Sequence, residues 1–156
     1  MSSLALNYVM NLLSHREYSE FELRCKMQEK AFSEEEIDQA IAYCQQKNWQ
    51  SDQRFTESYL NSRSQRGYGI NRIKQELRQL KGIESATIEA VVRECDIDWS
   101  ALALNVLRKK FPDYKEKQPP KMRQKFGNTC CHMGFIKRIL RIMWVLTRAS
   151  LISVVW

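Results

Sequence analysis

Leu23, Met27, Ile37, Ile41 and Cys44 return as Ile73, Leu77, Ile88, Val92 and Cys95, each displaced by 50 to 51 residues. Five apolar positions at a nearly constant offset describe an internal repeat with one small length change in a loop. Each copy must then form the same small unit, and a neighbour must cover what it cannot bury alone. The spacing within a copy is helical. Leu6, Val9, Met10 and Leu13 predict an inward-facing stripe on a helix from about Leu4 to Ser14. Ser19 with Glu22, and Ser33 with Glu36, are capping boxes that open the second and third helices. Acids at Glu34, Glu35 and Glu36 suit the positive end of the third helix.

The second copy follows the same plan. Ser51 or Asp52 caps its first helix, with Phe55 and Tyr59 on one face, and Gly67-Tyr68-Gly69 breaks it. Ile70, Ile73, Leu77 and Leu80 mark the buried stripe of the next helix, which Gly82 ends. Ser85 opens the third, with Ile88, Val91 or Val92, and Cys95 inward. A third copy begins with Asp98 as cap, Leu102, Val106 and Ala103 inward, and Pro112 as stop. A polar, proline-containing connection leads to "PPKMRQKF", which opens a further helix with a proline in its first turn. The expected fold is all-α: tandem three-helix repeats over residues 1–50 and 51–97, an incomplete third over 98–125, and an atypical tail over 126–156. Stacked units of this kind form an elongated array. Scarce glycine and proline and the lack of any period-2 run agree with it.

The formal net charge of +7 is unevenly spread. Residues 1–50 carry −3, residues 51–97 carry +1, and residues 98–156 carry +9. Within the middle third, Ser58 to Lys81 holds six basic residues against one acid. Such a stretch is either a solvated helix face or a surface for a polyanion. Five cysteines at irregular spacing and two histidines supply neither a disulfide framework nor a usual zinc set. The start of the chain is too polar for a secretory signal, which points to the cytoplasm. There is no phosphate-binding glycine loop and no local nucleophile signature. A binding protein is expected rather than an enzyme, with no cofactor, metal or small-molecule substrate.

Four segments together resemble the RecX family of recombinase regulators. They are Arg16–Met27, Ser51–Arg63 with its Asp52-x-Arg54-Phe55 element, Gly67–Ile83, and Asp98–Phe111. The third carries Gly69, Ile73, Glu76 and Leu77, followed by Lys81-Gly82-Ile83. The resemblance covers about residues 4–125. It implies three tandem three-helix repeats and a non-enzymatic role in DNA repair and recombination. The expected partners are RecA and the RecA–DNA filament, with restraint of ATP hydrolysis, strand exchange and the co-protease activity behind the SOS response. Direct contact with DNA is a further expectation, and a general nucleic-acid-binding helical repeat is the alternative.

The residues expected to bind are Arg63, Arg66, Tyr68, Arg72, Lys74, Arg78 and Lys81, with Arg108, Lys109 and Lys110 as a second patch. Arg72, Lys74 and Arg78 lie off the apolar stripe of their helix. Lys81, and Lys109 or Lys110, stand at helix ends, where a cation also serves the dipole. Tyr68 is either an exposed aromatic contact or a lid on the repeat core. Asp52 reads as a helix cap and Arg54 as a structural ion-pair partner.

After Lys125 the family resemblance calls for basic–aromatic–Leu–x–x–basic–Gly–aromatic, where the chain has "FGNTCCHMGF". Joining the third base of each codon to the first two of the next allows Tyr-Leu-Leu-Ser-His-Gly-Phe over Asn128–Phe135, with leucine forced at Cys130-Cys131 and glycine at Met133-Gly134. A one-base shift near Lys125 is therefore expected. It would leave Leu102, Val106 and Leu107 partly uncovered. The final apolar run holds Arg148 and is too short to cross a bilayer. A helix lying on an anionic membrane surface, or simple aggregation, remains open for the tail of a product that has lost its function.

Overall fold

The computed structural model describes residues 3–110 and 120–135. The connection over 111–119 and the tail from 136 lie outside them. The described residues form eight helices and no strand: α1 (Ser3–His15), α2 (Glu20–Gln28), α3 (Glu34–Gln46), α4 (Asp52–Gln65), α5 (Ile70–Lys81), α6 (Ser85–Glu94), α7 (Trp99–Lys110) and α8 (Pro120–His132). The all-α repeat expected from the sequence is what forms. Proline opens α8, where its missing N–H costs nothing.

The caps explain most of the boundaries. Ser33 and Glu36 complete their capping box: the Ser33 hydroxyl accepts the Glu36 N–H, and the Glu36 carboxylate accepts the Ser33 N–H. Asp98 Oδ1 accepts the N–H groups of Ser100 at 2.9 Å and Ala101 at 3.0 Å, opening α7. At α2 the box is only half made. Ser19 accepts the Glu22 N–H, but the Glu22 carboxylate turns to Arg16 and Lys81. Asp52 serves α2 as well: its Oδ1 accepts the Glu20 N–H at 2.9 Å. Ser51 is the residue that caps α4, accepting from the Arg54 N–H.

The residues group into two compact units, Met1–Leu60 with Gln75–Cys95, and Asn61–Lys74 with Asp96–Trp156. In the first, Ala5, Val9, Tyr18, Leu23, Met27, Ile37, Ala40, Ile41 and Cys44 form the core shared by α1, α2 and α3. Each large aliphatic side chain in it contributes about 2 kcal/mol by leaving water. Leu77, Ile83, Ile88 and Val91 of the second repeat are also buried. Two expectations fail here. Leu80 is 60% exposed and Met10 41% exposed, although both sit in register with buried stripes. Helical period assigns a residue to a face but does not say how far along the helix a neighbour covers that face. Of the Val91–Val92 pair, Val91 is the buried one.

In the second unit, Ala103, Val106 and Leu107 of α7 pack with Phe126 and Cys130 of α8 and with Phe135. This corrects the expectation that α7 is left uncovered: Val106 is 7% exposed and Leu107 3% exposed. The residues after Lys125 supply aromatic and small apolar side chains at helical spacing. That is sufficient to close this core.

Candidate polyanion-binding surface

Within the second unit the basic residues of α4 and α5 meet around one aromatic ring. The chain leaves α4 through Gly67, whose φ of +85° is open to glycine at little cost. A side chain there would also strike Val106, whose Cγ2 would lie 2.8 Å from the added carbon. The Tyr68 N–H returns to the Arg63 carbonyl at 3.1 Å, which holds the ring beside the last turn of α4. Arg63 then lies 5.3 Å from the ring centroid and Arg72, from the first turn of α5, lies 4.4 Å from it. Each guanidinium gains a cation–π contact there. Tyr68, Arg63 and Arg72 are all half-buried, and the one ring is shared by the two guanidinium groups.

Arginine also offers paired donors suited to phosphate and carboxylate oxygens. Of the other residues expected to bind, Arg66 is exposed and Lys74 half-buried in the same unit. Arg108, Lys109 and Lys110 are exposed in the last turn of α7, where they also complement the negative end of the helix dipole.

In the first unit, Arg78 is exposed. Lys81 is engaged: its Nζ meets Glu22 Oε1 at 2.6 Å and lies 5.8 Å from the Tyr59 ring centroid. Burial would push the Glu22 carboxyl up, but hydrogen bonds from Arg16 and Lys81 outweigh it and hold the group below its ordinary range. Arg54 is structural as expected. It pairs with Glu17 at 3.0 Å and donates to Asn48 and to the Trp49 carbonyl. Asp52 does cap a helix, but it caps α2 rather than its own.

Met133 and Gly134 were not anticipated. The Gly69 N–H donates to the Met133 carbonyl at 2.8 Å, and the Asn71 N–H to the Gly134 carbonyl at 3.0 Å. The one sequence signal was the Gly–aromatic ending of the family pattern, which Gly134-Phe135 satisfies in the chain's own frame. The vicinal cysteines carry no site. Burial, helped by the neighbouring Cys131, pushes the Cys130 thiol up to about 11, and Cys131 is exposed. Among the described residues there is no group of metal-ligating side chains, and no helix is long and apolar enough to cross a membrane.

Comparison with known proteins accords with this architecture. Residues 5–44 match the first three-helix domain of RecX, and residues 51–92 match the second. The chain is 66% identical over 135 residues to the regulatory protein RecX of Haemophilus influenzae (strain PittGG), covering 86% of this chain and 89% of that protein. It is 62% identical over 135 residues to the regulatory protein RecX of Pasteurella multocida (strain Pm70), covering 82% of the latter. A match of that length takes in residues beyond Lys125. The crystal structure of RecX from Lactobacillus salivarius shares the fold at 19% identity, with a TM-score of 0.82 over 94% of this chain and 96% of that one. The two matched domains and the identity along most of the chain establish that it belongs to the RecX family of regulatory proteins.

Proposed function

We propose that this chain binds the RecA recombinase and its nucleoprotein filament in the cytoplasm. It restrains the filament's ATPase, strand-exchange and co-protease activities without being an enzyme itself. The observation that carries the reading is the convergence of Arg63 and Arg72 on Tyr68 in a chain of this family. Arg63, Arg66, Tyr68, Arg72 and Lys74 form the principal contact surface. Arg108, Lys109 and Lys110 are further contacts in the second unit, and Arg78 and Lys81 are separate ones in the first. The surface is cationic, partly pre-ordered and aromatic at its centre, which suits phosphate backbones and acidic protein faces alike.

ATP hydrolysis by RecA on single-stranded DNA, titrated with this protein, tests the reading. The wild-type chain should inhibit in proportion to RecA rather than to DNA. Inhibition that scales with the DNA instead marks a general nucleic-acid binder. The double variant Arg72→Glu, Lys74→Glu should weaken inhibition by about tenfold or more while circular dichroism keeps its helical signal. Unchanged inhibition by that variant overturns the assignment. Phosphate contact also requires binding to weaken steeply as salt rises.

A further inference from the structure

The start of α5 leaves backbone N–H groups with no partner inside the helix. The main chain of Met133 and Gly134 satisfies those of Gly69 and Asn71, at 2.8 and 3.0 Å. The approach needs glycine on both sides. A β-carbon at Gly69 would lie 2.5 Å from the Gly134 carbonyl group, and one at Gly134 would lie 2.6 Å from the Arg72 nitrogen. Gly134 also has φ +87°, which side-chain-bearing residues rarely adopt. Phe135, 2% exposed in the core with Ala103, Val106 and Leu107, anchors the segment from the other side.

We propose that Gly134 is a positioning residue for the Arg63–Tyr68–Arg72 cluster. Its carbonyl caps α5, and its lack of a side chain lets the Arg72 backbone sit where the guanidinium reaches the Tyr68 ring. The proposal rests on the reading of that cluster as a polyanion site. It adds that the chain beyond Lys125 tunes this site. Any side chain at 134 displaces the first turn of α5 and carries Arg72 off the ring.

The test uses the full chain, a fluorescein-labelled oligothymidylate as probe, and the variants Gly134→Ala, Arg72→Gln and both together. Each single variant should weaken binding about fivefold, and the double variant no further, because both remove the same placed guanidinium. The Tyr68 ring resonances should shift in Gly134→Ala with helical content unchanged, whereas Gly127→Ala, whose added carbon meets nothing within 4 Å, leaves both readouts as in the wild type. Wild-type binding by Gly134→Ala beside a weakened Arg72→Gln, or losses that multiply in the double variant, overturns the proposal. If Arg72→Gln binds normally, the polyanion reading fails. The Tyr68 resonances then decide the positioning role, and unmoved resonances in Gly134→Ala overturn it. Should Gly134→Ala lose helical signal, Phe135→Leu loosens the anchor without adding atoms beside Arg72. It must show the same coupled loss on a smaller scale, and wild-type binding by it also overturns the proposal.

Discussion

Asp52 Oδ1 accepts the backbone N–H of Glu20 at 2.9 Å across 32 residues of sequence. The same oxygen accepts from Gln50 Nε2 at 2.8 Å, and Gln50 also donates to the Tyr18 carbonyl. The first residue of α4 therefore caps the start of α2. An acid at that end also favours the α2 dipole. Asp52→Ala should destabilise the protein by about 1–2 kcal/mol in urea unfolding, and Asp52→Asn, which keeps an acceptor, by roughly half as much. Equal losses in the two variants would assign the effect to charge instead of capping.

Glu22 supplies a pH dependence. Its carboxyl titrates below its ordinary range in the folded chain because Arg16 and Lys81 both donate to it. Its contribution is therefore full above the unfolded-state pKa and fades as pH falls through the folded value. Glu22→Gln should cost about 1–3 kcal/mol near neutral pH. The gap to wild type should close steadily in the acid range below about pH 4. A gap that stays constant down to pH 3 would show that packing, not ionisation, accounts for it.

Thiol reactivity should separate the vicinal cysteines. Cys131 is exposed, whereas Cys130 is fully buried with its thiol pushed up to about 11. Mass spectrometry after brief iodoacetamide treatment at pH 8 should find Cys131 alkylated, with Cys130 and the buried Cys44 protected until denaturant is added. Early labelling of Cys130 would mean that the α7–α8 core opens readily.

The reading frame beyond Lys125 is open to direct test. We propose a one-base change near Lys125, so that sequencing should reveal a longer frame containing a segment close to Tyr-Leu-Leu-Ser-His-Gly-Phe. A restored chain should keep a Gly–aromatic pair to lie against Arg72, and it should inhibit RecA ATPase more strongly than the present one. If no single-base change opens such a frame, the tail is a divergent one.

The fold was legible where local chemistry decides it. The Ser33–Glu36 box and the Asp98 cap each depend on residues a few positions apart, and both appear in the structure. Leu80 and Met10 were misplaced because their exposure depends on where a distant neighbour stops. The basic side of α5 could be found from charge alone. The pairing of Arg63 with Arg72 on one ring could not, since it requires the Gly67–Gly69 turn to bring Tyr68 within reach of both. Gly134 was the least visible, because it acts through its main chain and the absence of a side chain.

Arg54 gives the domain boundaries a practical meaning. The first family match ends at residue 44 and the second begins at 51, which suggests a place to divide the chain. Yet Arg54 binds Glu17 on the N-terminal side of that gap, and Asn48 and the Trp49 carbonyl within it. A fragment stopping there surrenders these contacts together with the α2 cap. The family match stops at residue 44, whereas the hydrogen bonds that hold this part of the chain run on to residue 54.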